Sequence, residues 1–349
     1  AEMHNMFPYW ETKVYNEVLK EKTIDGGVTF SRAGCAGAQS YSAFFNGDQA
    51  SGMNGMKMQL ISGLSDSASG FTMWGADLGG LDGSLSNEVY ARAVEFSAFQ
   101  PIMRAHGQTS RFPWDYGKTG EKTYLKYYWL RENLLNTIYS TAIKSNKKGT
   151  PVATPLTMEY PNEAKYDGLY TTYLFCDDFL VSPVLEEQAY LNDVAFPKGT
   201  WYELWSGNEV LGSCEREVPV SLKDCPAYLK SGIVLPVIMN EKMKWAVPFS
   251  EQNQTKVIVI TPPNMDDEYR YYAEEDDKYV FKCVKEDERV FTIYSLKDIF
   301  INKLLIYGNV HEIEVDGKKE EFSIVYENQT MTALRLKSDR WNKLTITCK

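Results

Sequence analysis

Apolar positions change their period along this chain, and the change divides it in two. Between residues 8 and 22, Trp10, Val14, Val18 and Leu19 recur at helical spacing, which predicts a helix ending at the Asp25-Gly26-Gly27 break. Val28-Thr29-Phe30-Ser31 reads as a buried strand, and Tyr41 to Phe45 as a second strand that runs into Asn46-Gly47-Asp48. A Met-rich helix follows (Met53, Met56, Met58, Leu60), then a third strand, Gly70 to Trp74, ending in Gly75-Ala76-Asp77. A helix from Asn87 to Phe99, a fourth strand from Pro101 to His106 and a long amphipathic helix over roughly 121–145 complete this part. Strand and helix alternating at this spacing indicates parallel βα units. From about Val184 the period shortens to two. Runs such as Trp201 to Trp205 and Ile233 to Pro236, and after Pro248 Lys256 to Ile260, Arg289 to Tyr294 and Lys343 to Thr347, indicate antiparallel β-sandwich. Charge runs at Glu274 to Lys278 and Lys318 to Glu321 read as solvated hairpin tips.

Composition narrows the partners. With 349 residues and 44% of them hydrophobic, the chain can bury a large core and divide into domains. A net charge of -10 and a pI near 5.1 argue against nucleic acid or an anionic membrane, both of which need a basic face. No apolar run approaches the ~20 residues of a spanning helix. A cytoplasmic chain is the simpler expectation. Export is left open, because Ala1-Glu2 enters a patterned segment without Met or a leader, as a processed or truncated chain would. The six cysteines lack metal-type spacing and read as free thiols, a Cys214 to Cys225 bridge being the one exception to consider. Three histidines are too few for a histidine-rich metal centre, and neither a metal nor an organic cofactor is expected.

The candidate chemistry sits where strands end. Asp48, Asp77 and the guanidinium of Arg32 follow apolar strands, and the C-terminal ends of strands are where a (β/α) barrel holds its active site. An Asp following a Gly in an apolar, aromatic setting has its pKa raised by desolvation, which suits Asp48 to donate a proton near neutral pH. Taken alone, Arg32 is equally a partner for a neighbouring carboxylate, a lone His106 equally a satisfied core histidine, and Trp74 more often core than ligand.

Many short motifs occur in one order: M-H-N at residue 3, F-S-R-A-G at 30, G-D at 47, W-G-A-D-L-G-G at 74, P-x-x-R-A-H-G at 101, F-P-W at 112, R-E-N-L-L at 131, G-T-P-V at 149 and D-D-F-L-V-S-P-V at 177. With P-K-G-T-W-Y-E-L-W-S-G at 197 and P-A-Y-L-K-S-G at 226, the chain resembles glycoside hydrolase family 31, the retaining α-glucosidase and α-xylosidase family, over most of residues 1–240. The resemblance implies that Asp48 is the general acid/base, that Arg32, Asp77 and His106 hold sugar hydroxyls, and that Trp74 and Trp114 wall or support the site. Two departures bear on sugar identity: the family's W-x-G-D stands here as Phe45-Asn46-Gly47-Asp48, and Leu81 replaces the aromatic that follows D-I-G-G.

A third departure concerns completeness. A retaining glycosidase uses two carboxylates about 5 to 5.5 Å apart, and in this family the nucleophilic Asp precedes the M-H-N segment. The resemblance therefore implies the second half of a (β/α)8 TIM barrel at residues 1–183, followed by a proximal β-sandwich at 184–240 and a distal β-sandwich at 241–349. It implies a retaining, exo-acting, α-glucosidase-like hydrolase acting on an α-linked oligosaccharide or glycoside, with the N-terminal half of the same enzyme, separate or cleaved, as partner. The alternatives are a non-catalytic carbohydrate-binding or assembly module, α-xylosidase or α-galactosidase-type specificity on the same scaffold, and an eliminating lyase.

Overall fold

The computed structural model describes residues 2–24 and 26–349, so the Asp25 of the expected helix stop lies outside the described residues. Helix α1 (Glu2–Lys22) begins earlier than the expected residue 8 and runs through Pro8. Met3 and Phe7 continue the stripe of Trp10, Val14 and Val18 one turn further, and all five side chains are exposed. Three very short parallel strands follow, β1 (Phe30–Ser31), β2 (Ala43–Phe45) and β3 (Trp74–Gly75), paired in that order with helix α2 (Met53–Ala68) between the last two. The expected fourth strand is reduced to one parallel bridge between Gly75 and Ile102. Val28, expected to be buried, is 82% exposed. Among the described strands β1 pairs with β2 alone, so its other edge and the residues leading into it are left open.

Helix α3 (Asn87–Ser97) packs on α4 (Gly117–Lys148), which continues onto the strands Val234–Asn240 and Asp267–Tyr272, while α2 packs on β3. Ser86 caps α3 by accepting from Val89 N, as a serine at this position should. Arg131 of α4 donates to the carbonyls of Ala98, Gln100 and Pro101 at 2.5–3.0 Å and so fixes the turn that leads into Ile102.

Strand β4 (Ala153–Pro155) leaves the parallel set and starts an antiparallel six-stranded sheet. Its order is β4, β5 (Tyr173–Phe175), β6 (Phe179–Val181), then Ala227–Lys230, Thr200–Glu203 and Glu209–Leu211, so it draws three strands from residues before 184. The last third of the chain folds as two sheets of five and six antiparallel-dominated strands around a core of Ile258, Phe281, Ile293, Trp341 and Ile346. A separate, continuous core runs from Met56, Leu60 and Trp74 through Phe99, Tyr127 and Leu134 to Leu235 and Val259, joining the parallel units to both β-rich parts. All six cysteines are free. Among the described residues no helix is long and apolar enough to cross a membrane.

Candidate active site

The ends of β1, β2, β3 and the Ile102 bridge point the same way, and each delivers a polar side chain. Arg32 follows β1 and bonds Asp48, which follows β2, through Nη2 to Oδ2 at 2.8 Å. Both are solvent-accessible, so the apolar, desolvated setting expected for Asp48 is not supplied by the described residues. That setting is found at Asp77, which is 1% exposed. Burial raises the Asp77 pKa, and the charges of Arg104, His106 and Arg111 pull it back while Asp48 pushes it up. Asp77 is thus within electrostatic reach of both Asp48 and His106, and the side chains from four strand ends gather at one face.

Arg104 was not singled out by the sequence. Its guanidinium lies over the rings of Phe45, at 4.7 Å, and Phe30, at 5.4 Å, and approaches Asp77 Oδ1 at 2.9 Å. The approach is close but poorly aligned, so it is an ion pair without a directed hydrogen bond, and both Asp77 oxygens lack a hydrogen-bond donor among the described residues. A buried carboxylate short of donors is costly, so Asp77 is an acceptor that the described residues leave unsatisfied.

Two further residues hold this face together without a sequence signal of their own. Gln59, buried in α2, donates to the Asp77 carbonyl at 2.8 Å while its own carbonyl accepts from Asn46 at 3.0 Å, linking the turn before Asp48 to the turn of Asp77. Arg111 donates to Leu78 O, Gly80 O and Ser51 Oγ at 2.7–2.9 Å and fixes the loop after Asp77. In that loop Gly80 adopts a φ of +104°, and a Cβ there would meet Ala50 O at 2.4 Å, so glycine is required on both counts.

Trp74 lies behind the strand ends rather than in a site wall. It is fully buried, packs on Gly63 of α2 and donates its indole N–H to Ser67 Oγ at 2.9 Å. Its side chain faces the helix layer because neighbouring strand residues alternate sides, and it supports the site from below. Trp114 is more than half exposed and stacks on Phe112 with ring centroids 4.9 Å apart, in the segment that Arg111 anchors.

Residues 1–141 match the profile described as the glycosyl hydrolases family 31 TIM-barrel domain, and residues 149–235 that of the family 31 C-terminal domain. The chain belongs to glycoside hydrolase family 31. An isomaltosyltransferase of Sporosarcina globispora is 33% identical over 253 residues, which is 68% of this chain and 23% of that protein. An alpha-xylosidase of Saccharolobus solfataricus is 31% identical over 242 residues, 67% of this chain and 33% of its own length. In fold, the chain is similar to the cycloalternan-forming enzyme of Listeria monocytogenes, with a TM-score of 0.89 at 23% identity over 99% of this chain and 36% of that one. It is also similar to a family 31 dextranase of Flavobacterium johnsoniae, with a TM-score of 0.84 at 21% identity and 49% of that chain covered. The chain therefore spans about a quarter to a third of the length of these curated relatives. Family 31 membership accounts for a parallel set of strands that occupies only part of a barrel and continues into β-rich parts.

Proposed function

We propose that this chain contributes the acid/base half of a retaining α-glycosidase site acting on α-linked oligosaccharides or glycosides. In this reading Asp48 protonates the leaving oxygen and then deprotonates the incoming water, while a carboxylate from outside the chain attacks the anomeric carbon. Arg32, Asp77 and His106 hold sugar hydroxyls, and their hydrogen bonds strengthen as positive charge develops on the ring. The observation that carries the reading is the convergence of Asp48 with a buried Asp77 whose oxygens have no donor of their own. Asp48 being accessible suits it to a proton passed between sugar oxygen and water.

The carboxylate partner comes with the rest of a barrel. The open edge of β1 and the uncovered apolar face of α1 fit a complementary half-barrel, supplied by the same enzyme as a separate or continuous chain. The relative named an isomaltosyltransferase supports a second reading in which the acceptor is a sugar hydroxyl rather than water. Product analysis for lengthened saccharides separates the two.

The test of the catalytic assignment uses the assembled enzyme. Asp48→Ala slows hydrolysis of substrates with poor leaving groups by about 10²-fold or more and that of activated aryl glycosides far less, because only the former need protonation. Equal losses on both would remove Asp48 from the acid role.

A further inference from the structure

A cleft of about 540 Å³ opens where α4, the turn between β5 and β6, and the strand Asp267–Tyr272 meet. It is separate from the site at the strand ends. None of Arg32, Asp48, Asp77, Arg104 or His106 borders it, and along α4 it begins at Thr137, beyond the Arg131 that holds the turn into Ile102. The walls are fixed by bonds between parts of the chain distant in sequence. Tyr269 donates to Asp178 Oδ2 at 2.8 Å, and the backbone N–H of Tyr272 donates to Ser140 Oγ at 2.8 Å. The volume lies within the ~300–1,000 Å³ of ordinary small-molecule sites.

Two observations indicate what it takes. Thr137 is 2% exposed and its hydroxyl has no hydrogen-bond partner among the described residues, although Thr141, one turn on, satisfies its own on the Thr137 carbonyl at 2.9 Å. The hydroxyl of Thr150, on the same lining, is likewise buried and unpartnered. Buried hydroxyls are rarely left without a partner, so a ligand supplying both donors and acceptors fits. The charged side chains around them, ammoniums such as Lys144 and Lys230 and carboxylates such as Asp177 and Glu159, are in near balance, which favours neither an anion nor a cation. A neutral polyhydroxylated molecule meets both conditions, its hydroxyls donating to carboxylates and accepting from ammoniums.

We infer that this cleft is a second saccharide-binding site, lined by residues distinct from those of the catalytic face, that holds a neutral oligosaccharide. It does not depend on the catalytic reading, since a binding cleft is indifferent to which carboxylate performs the chemistry. The experiment titrates the full chain with isomaltotriose and, separately, maltotriose, following tyrosine-ring NMR signals at Tyr269, Tyr271 and Tyr272, with thermal unfolding as a check of folding. Expected is saturable perturbation of those signals by at least one of the two, retained in Asp77→Ala and weakened tenfold or more in both Thr137→Val and Lys230→Met while each variant unfolds cooperatively. Thr137→Val keeps shape and Lys230→Met keeps most of the side-chain stem, so loss of binding with an intact fold assigns the cleft. Tyrosine signals unmoved by either sugar, or binding unchanged in both folded cleft variants, or binding abolished by Asp77→Ala, would overturn the inference.

Discussion

At the scale of single residues, two neighbouring aspartates sit in opposite environments, and the desolvated setting expected of Asp48 is found at Asp77. Asp48 is the accessible one, paired with Arg32, and Asp77 is the desolvated one, its pKa raised by burial and held in check by Arg104. Arg104 thus neutralises Asp77 without occupying its lone pairs and is itself fixed over Phe45 and Phe30. In the assembled enzyme Arg104→Met leaves Asp77 buried without a countercharge, at a cost of about 3–5 kcal/mol for breaking a buried pair, reduced because Arg104 is partly exposed. The expected outcome is a KM raised tenfold or more and a pH profile of kcat/KM displaced upward on its acidic limb, as Asp77 releases its proton at higher pH. A pH profile superimposable on that of the parent would show that Arg104 serves structure alone. The strand-end aspartates were legible because an apolar run followed by Gly-Asp or Gly-Ala-Asp marks a strand terminus directly. Arg104, Gln59 and Arg111 were not, because their roles depend on which backbone carbonyls and rings come near in space. Trp74 shows the converse, a motif residue whose facing was fixed by strand alternation, which a strand reduced to two residues leaves unreadable in sequence.

At the scale of elements, the long helix α4 was legible from its period and the four-strand set only in part. The strands are short because their ladder ends after one or two pairs, and a propensity pattern carries no information about the missing neighbour. The antiparallel runs emerged more faithfully, since each hairpin supplies its own neighbour. Between elements the turn of β5 and β6 forms a titratable clamp. Asp178 is buried, and burial, with Asp177 second, pushes its pKa up to about 7, while the Tyr269 bond and the charges of Lys230 and Lys144 oppose the rise. A carboxyl raised in the folded state keeps a proton that the unfolded chain releases near the ordinary value of about 4. Its contribution to stability is therefore fully present below about pH 4 and is lost as the pH rises through 7, a change of a few kcal/mol over that window. Asp178→Asn retains the carbonyl acceptor for Tyr269 and removes the titration. The variant's melting temperature should gain on the parent's by several degrees between pH 5 and pH 8. Parallel pH profiles for parent and variant would exclude Asp178 as the titrating clamp.

At the scale of the whole molecule, one core continues from α2 and α4 into the β-rich parts, whereas α1 stands largely outside it. The helix is attached by Thr12, its one buried residue, by the Asn16 to Tyr41 carbonyl bond at 3.2 Å and by the edge-on contact of Tyr9 with Tyr41. Its other face presents Met3, Phe7, Trp10, Val14 and Val18 in a continuous stripe, between 48% and 75% exposed. Covering such a side chain stabilises by about 1.5–3 kcal/mol when complete, so covering the exposed portions of five contributes roughly 5 kcal/mol or more. A patch of this kind is one that soluble monomers seldom leave open. Expressed alone, the chain should self-associate through α1, and the α1 amides should exchange with solvent far faster than those of α4, which is packed along most of its length. Trp10→Glu with Val14→Glu should shift sedimentation from oligomer to monomer without lowering the main unfolding transition, and in the assembled enzyme the same pair should abolish activity by preventing the complementary half from seating. A monodisperse parent chain whose α1 amides are as protected as those of α4 would show that the stripe is already covered, and that a half-barrel partner is not what this face is built to receive.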